Sequence, residues 1–226
     1  MLTLLLATRN AHKVEEIRAI LGQAYACISL QDFPNAPEVI EDARTFAGNA
    51  TKKAIELAKW TQHSTRHIQG VYVLADDSGL EVDALHGAPG VHSARFAALD
   101  TGQSGNSPDA QNREKLLRLL QDVPPGRRTA RFRCVLALTP VFDPQRQNSS
   151  PVCDADEFEL ATELLEGTCE GQIGLAPKGQ GGFGYDPLFV PDGYAQTFAE
   201  LDAGVKNELS HRARALAKLK QRLVRG

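Results

Sequence analysis

Val71-Tyr72-Val73-Leu74-Ala75-Asp76-Asp77-Ser78-Gly79 decides how the chain is read: an apolar run of the kind that fills a buried strand stops on two adjacent carboxylates. Strand ends at the carboxyl edge of an α/β sheet open into the crevice where ligands bind. Neighbouring carboxylates there repel each other unless a cation lies between them. The segment therefore predicts a strand end that carries a hard-metal site. The plainer alternative is a turn, since Asp, Ser and Gly all reverse the chain readily. A turn accounts for one Asp and leaves the second without a reason.

Upstream, residues 2–7 form a short apolar run ending at Thr8-Arg9-Asn10, after which Val14, Ile17, Ile20 and Leu21 recur at helical spacing. A second strand is expected at 26–30, leading into a loop with Pro34, Pro37, Glu38, Glu41 and Asp42. Thr45 reads as the N-cap of a helix bearing Phe46, Ala50, Ala54, Leu57 and Ala58 on one face. A polar stretch, 61–70, links it to the Val71 strand.

Downstream, Leu80, Val82 and Ala84 alternate with Glu81 and Asp83, predicting a half-exposed strand that stops at Gly87-Ala88-Pro89-Gly90. Residues 101–107, rich in Gly, Ser and Asn, predict a mobile loop. Ser107 and Pro108 make an N-cap and N1 pair for a helix to about Gln121, closed by Pro124-Pro125-Gly126. A long strand follows at 129–138 with Phe132, Cys134, Leu136 and Leu138 on one face, then a polar excursion at 143–153 and a strand at 157–165. Strand and helix alternate in the first half, and strand follows strand in the middle. A single α/β domain over residues 1–226, with a mixed sheet flanked by helices and bent into two lobes, accommodates both halves.

The chain has 226 residues, 42% hydrophobic and 23% charged, which suits one sizeable folded core and argues against disorder. Its 25 basic and 28 acidic side chains sum to −3, so no nucleic-acid polymer is implied. A small phosphorylated ligand remains compatible, because a few local lysines can oppose a mildly acidic whole. Cys27, Cys134, Cys153 and Cys169 are scattered without metal-ligand spacing. They read as free thiols of a cytoplasmic protein, not as zinc ligands or a disulfide framework. The apolar start lacks a basic n-region and is better read as the first strand than as a signal peptide. No run approaches the roughly 18 apolar residues of a membrane span.

Four segments carry chemistry-bearing residues. Thr8-Arg9-Asn10-Ala11-His12-Lys13 joins a strand to a helix, where backbone N–H groups, the helix dipole and Lys13 favour an anion, although on this segment alone Asn10 as a simple helix cap is the readier explanation. Lys53 lies near the apolar stripe of its helix with Asn49 one turn earlier, so it either snorkels to solvent or meets an anion. Glu41 with Asp77 would suffice for a magnesium ion whose other ligands are phosphate oxygens and water.

Gly179-Gln180-Gly181-Gly182-Phe183-Gly184 satisfies a dinucleotide pattern, but the extended, proline-containing stretch after it excludes the helix that fingerprint needs. What remains is a glycine-rich loop displaying Phe183, Tyr185 and Asp186, suited to holding a planar base; the alternative is that both aromatics are core. Ser210-His211-Arg212 opens the last helix, whose apolar face is expected at Ala213, Leu216, Ala217 and Leu223. Positive charge in that first turn opposes the helix dipole unless an anion or a carbonyl oxygen compensates, and Lys206 adds another cation nearby. Neither a nucleophilic serine elbow nor a Cys-His pair is present in the pattern.

Six ordered motifs, Thr8-x-Asn10-x-x-Lys13, Thr45-Phe46-x-x-Asn49-Ala50-x-x-Lys53-Ala54, Ala75-Asp76-Asp77-Ser78-Gly79-Leu80, Gly87-Ala88-Pro89-Gly90-Val91-x-Ser93-Ala94-Arg95-Phe96, Gly181-Gly182-Phe183-Gly184-Tyr185-Asp186-Pro187 and Ser210-His211-Arg212, together resemble the inosine triphosphate pyrophosphatase family. The resemblance implies a long mixed β-sheet flanked by helices, with two lobes and the active-site cleft between them. It implies a Mg²⁺-dependent, homodimeric hydrolase that cleaves ITP, dITP or XTP to the monophosphate and pyrophosphate, before they are incorporated into DNA or RNA.

Carried over by position, Asp77 would be general base and metal ligand, and Glu41 would share the metal. Thr8, Arg9, Asn10, Ala11, His12, Lys13 and Lys53 would grip the phosphates, with Ser78 also at the substrate. Phe183, Gly184, Tyr185, Asp186, Lys206, His211 and Arg212 would read the purine. Residues 101–107 and 143–156 look longer than the family pattern. Two other readings stay open on the residues alone: a phosphatase releasing orthophosphate, and a nucleotide-binding sensor without catalysis.

Overall fold

The computed structural model describes residues 2–64, 70–102, 104–142 and 156–225. The polar excursion expected at 143–153, Cys153, most of the longer segment 143–156 and much of the 61–70 link lie outside the described residues.

In chain order the elements are β1 (Thr3–Leu6), α1 (Ala11–Leu21), β2 (Ala26–Ser29), α2 (Phe46–Ser64), β3 (Val71–Val82), α3 (Asp109–Leu119), β4 (Thr129–Pro140), α4 (Glu157–Ala161), β5 (Glu163–Ile173), β6 (Phe189–Pro191), α5 (Ala203–Leu209) and α6 (His211–Arg225), with short 3₁₀ turns between. The strands form one mixed sheet in the order β2-β1-β3-β4-β5-β6. β1 runs parallel to both neighbours, with Leu4 opposite Cys27 on β2 and Tyr72 on β3. Parallel neighbours need crossover connections, and α1 and α2 supply them. β5 and β6 are antiparallel, with Gln172 opposite Val190.

The chain clusters into two compact units. The first comprises Met1–Asp77, Val135–Leu165 and Lys218–Gly226, the second Ser78–Cys134 and Glu166–Ala217. In the first, Leu4, Leu5 and Leu6 are all buried, as expected of a parallel strand covered on both faces. Ala50, Ala54, Leu57 and Ala58 give α2 the buried stripe that its helical spacing predicts. The core of the second unit gathers Leu80, Val82, Phe96, Leu116, Phe132, Leu188, Phe189 and Phe198. Phe132 meets Phe189 edge-on at 4.7 Å between centroids. Burying each such aromatic is worth about 2–3 kcal/mol.

Four expectations are corrected. β3 does not end at Ala75 but runs unbroken through Asp76 and Asp77 to Val82. Successive strand side chains face opposite sides, so the two acids diverge and each meets its own partners, and no turn is required. Residues 157–161 are helical, not strand: the Asp156 carboxylate caps α4 by accepting from Phe158 N. The strand begins at Glu163 and runs on to Ile173, where Gly167 and Gly171 leave room for the α6 and β6 backbones, which a Cβ would strike.

At α3 the capping position is taken by Pro108, while the Ser107 hydroxyl accepts from Ala98 N at 2.8 Å. Consequently α3 starts at Asp109 and ends at Leu119. On α6 the buried face is Ala213, Ala215, Leu216 and Leu219, with Ala217 exposed.

Candidate active site

Within the first unit, acids and lysines gather around the middle of β3. Asp76, only 2% exposed, receives the Lys13 ammonium from α1 at 2.5 Å. Asp77, 7% exposed, accepts from Asn49 Nδ2 at 3.0 Å and lies 3.8 Å from Lys53 Nζ. Lys53 does not snorkel: its ammonium donates to the Asp76 carbonyl at 2.9 Å and sits 3.0 Å from Glu41 Oε2.

Local sequence explains this placement. The Thr45 hydroxyl accepts from Gly48 N at 3.1 Å and caps α2, which puts Asn49 and Lys53, four residues apart, on one helix face. The Asn49 amide then works in both directions. Its oxygen accepts from Ala43 N at 2.9 Å, tying down the loop that bears Glu41, while its nitrogen holds Asp77. In the sequence Asn49 stands in a motif with no role of its own, and its four-residue spacing from Lys53 is the signal that links the two.

Burial pushes the Asp77 carboxyl above the ordinary carboxylate range. Lys53 and Lys13 pull it down, the nearby Glu41 charge pushes it up, and the Asn49 hydrogen bond lowers it. Glu41 and Asp77 both reach the same ammonium, so their oxygens face a common point, as two hard donors for a magnesium ion must. Among the described residues no group of three or more His, Cys, Asp or Glu side chains is placed to hold a metal. An ion held by Glu41 and Asp77 would need its remaining ligands from phosphate oxygens and water.

At the start of α1, Asn10 is indeed a cap, its side-chain oxygen accepting from Lys13 N at 3.1 Å, while Thr8 Oγ1 accepts from Asn10 N. Ala11 and His12 lie in the exposed first turn. Arg9 turns aside to donate to the Ala36 carbonyl at 2.8 Å.

In the second unit the glycine-rich loop presents Phe183 beside two cations. Lys206 Nζ lies 5.1 Å and Arg212 Cζ 5.9 Å from its ring centroid. Asp186 is buried and accepts from both Lys206 Nζ, at 2.6 Å, and Phe183 N, at 2.8 Å. Its carboxylate thus closes the loop on itself. Gly182 has φ +68° and no room for a Cβ, which would overlap that carboxylate.

Arg212, 1% exposed, donates to the Ser78 hydroxyl at 2.9 Å. His211 stacks on Phe132 at 4.8 Å. The Ser210 hydroxyl caps α6 by accepting from Ala213 N. Of the two loop aromatics, Tyr185 belongs to the core: its hydroxyl donates to the Ser93 carbonyl at 2.9 Å, and burial pushes the phenol pKa up. Phe183, half-buried, is the one displayed.

The fold is one already seen in solved structures. The chain is similar over its whole length to the Ham1 protein of Coxiella burnetii, with TM-score 0.77 and 35% identity covering 100% of both chains. It is similar also to the Staphylococcus aureus Ham1 protein, with TM-score 0.73 and 32% identity covering 98% of this chain and 97% of that one. Residues 4–222 match the Ham1 family, and the chain belongs to it. Among its relatives, the dITP/XTP pyrophosphatase of Desulforamulus reducens is 47% identical over 223 residues, covering 98% of this chain and 96% of that protein. The resemblance carried by the six motifs is thereby borne out.

Proposed function

We propose that the protein hydrolyses non-standard purine nucleoside triphosphates (ITP, dITP and XTP) to the monophosphate and pyrophosphate, clearing them before they enter DNA or RNA. One observation carries the chemistry: Lys53, buried on α2, brings its ammonium to Glu41 and Asp77 at 3.0 and 3.8 Å while also holding the Asp76 carbonyl. Acids and lysines interleaved in this way are complementary to a metal-bound polyphosphate. The relatives named dITP/XTP pyrophosphatase support the substrate class.

In this reading Asp77 accepts the proton of the attacking water, its basicity raised by burial and its orientation held by Asn49. Glu41 and Asp77 would hold Mg²⁺, which supplies Lewis-acid polarisation of phosphate oxygens and bound water. Lys13 and Lys53 offset the negative charge that builds on departing pyrophosphate, with the α1 N-terminus, Thr8 to Lys13, as the phosphate seat. Phe183 stacks on the purine face, with the two cations beside it. Arg212 and Lys206 offer donors to a 6-oxo group, whereas the 6-amino group of adenine sets donor against donor. Asp186 acts here through the loop it closes.

The proposal includes a homodimer, to be checked by light scattering on the eluted protein, and a cytoplasmic setting. Among the described residues no helix is long and apolar enough to cross a membrane.

A panel of ITP, dITP, XTP, ATP and GTP incubated with Mg²⁺, with both products identified, tests the reading. Preferential cleavage of the 6-oxo, non-standard substrates with pyrophosphate released supports it. Orthophosphate as the product replaces it with a phosphatase, and tight ITP binding without turnover replaces it with a sensor.

A further inference from the structure

The motif Gly87–Phe96 and helix α3 take no part in the chemistry above, yet they converge on the purine-presenting loop within the second unit. Gly184 follows Phe183 directly and has φ +62°, a conformation that side-chain-bearing residues rarely adopt. Both polar groups of its backbone are taken by charged side chains one turn apart on α3. Asp109 Oδ2 accepts from Gly184 N at 2.7 Å, and Arg113 Nη1 donates to Gly184 O at 2.7 Å. Loop peptides are ordinarily satisfied by water or by their own turn. Two charge-assisted bonds on one glycine make a grip from both sides.

The helix that supplies this grip is itself anchored. The buried Asn112 side chain accepts from Ala97 N at 2.8 Å and donates to Ala94 O at 3.2 Å. Ser93, in the same segment, accepts from Leu80 N at 2.9 Å, donates to Gly90 O at 2.6 Å, and offers its carbonyl to the Tyr185 hydroxyl at 2.9 Å. The connections close a ring: α3 to Gly184, Gly184 to Tyr185, Tyr185 to Ser93, and through Ala94 and Asn112 back to α3. Phe183 stands at the edge of that ring, so its angle depends on where the Gly184 peptide is held.

We propose that Asp109 and Arg113 are positioning residues that clamp the Gly184 peptide and thereby set how strictly the protein discriminates among purines. This deepens the proposed function and rests on it. Neither side chain touches the base in this account; each acts by fixing the plane of Phe183 against Lys206 and Arg212. Loosening the clamp lets the ring tilt, which weakens binding of the preferred base more than binding of a poorly fitting one.

The test compares Asp109→Ala, Asp109→Asn, Arg113→Met and Arg113→Lys with the unmodified protein, measuring kcat and KM for ITP, XTP, ATP and GTP with Mg²⁺ alongside thermal melting. Losing one charged hydrogen bond should lower the ITP-over-ATP ratio of kcat/KM by roughly tenfold, mainly through KM, with kcat for ITP within about twofold. Asp109→Asn, which keeps an acceptor, should recover most of the loss, and Arg113→Lys part of it. A proportional loss on every nucleotide, or an unchanged ratio in variants that melt normally, would overturn the clamp. Should Asp109→Ala not fold, Arg113→Met reads the same glycine from its carbonyl, on the following peptide. Unmodified protein that fails to prefer ITP over ATP defeats the underlying function instead, whatever the variants do.

Discussion

Two ion pairs with buried carboxylates, one in each unit, show how the same ingredients serve different ends. Lys13 and Asp76 meet at 2.5 Å with side chains 16% and 1% exposed, Lys206 and Asp186 at 2.6 Å with side chains 8% and 4% exposed. The first pair stands on a regular strand next to a second acid, and its geometry comes from β3, α1 and α2. The second stands in a glycine loop, and its carboxylate spends an oxygen on the loop's own Phe183 N–H. A strand lends rigidity to a charge cluster without using its side chains. A loop must use its polar groups to hold itself together, so Asp186 organises while Asp77 remains available for chemistry.

The sharpest way to break this contrast is Asp77→Asn. Turnover of ITP should fall by about 10²–10⁴-fold, the usual contribution of a positioned proton acceptor. Stability of the metal-free protein should move the other way. A carboxyl whose folded pKa is raised contributes stability that is full below the ordinary carboxylate pKa and is lost as pH rises through the raised value. At neutral pH the ionised Asp77 therefore burdens the fold, and the amide removes that burden while still accepting from Asn49. Melts from pH 4 to 8 should show the variant gaining on the unmodified protein as pH rises; a variant that melts lower at pH 8 would contradict this.

Next in size is Lys206→Met. Removing one partner of a buried pair costs about 3–5 kcal/mol, because the remaining charge stays buried. Urea unfolding should show that loss, and pairing the change with Asp186→Asn should recover part of it. If the single variant unfolds like the unmodified protein, the loop pair is less critical than its burial indicates.

The smallest effects separate two glycines of the same loop. Gly182→Ala puts a Cβ onto the Asp186 carboxylate and strains a φ of +68°, whereas Gly184→Ala meets open space at φ +62°. Strain alone is of order 1–3 kcal/mol, so Gly184→Ala should lose about 1 kcal/mol and Gly182→Ala visibly more. Equal losses in chemical unfolding would mean that the Asp186 contact is soft.

Legibility along the chain follows the range of the interaction involved. The caps at Asn10 and Thr45 and the buried stripes of α1 and α2 are set within a turn or two of themselves, so residue spacing announced them. The run of β3 through Asp76 and Asp77 was not announced, because the lysines that reach this segment, Lys13 at the Asp76 carboxylate and Lys53 at the Asp76 carbonyl, come from 63 and 23 residues away. β5 hid behind Gly167 and Gly171, which weaken a strand's local signal while serving close contacts with distant backbone. Tyr185 and Phe183 look alike in sequence, and only the Ser93 carbonyl separates the core ring from the displayed one.

From its residues alone the protein declared an α/β fold, its family and the identity of nearly every chemistry-bearing side chain, since these depend on residue type, period and motif order. What each side chain does there was left to tertiary structure: Lys53 turning inward to two acids, Asn49 linking the Glu41 loop to Asp77, and α3 gripping Gly184. Charges and hydrogen-bond partners are set by distances of a few ångströms between residues remote in the chain, and sequence spacing carries no measure of those distances.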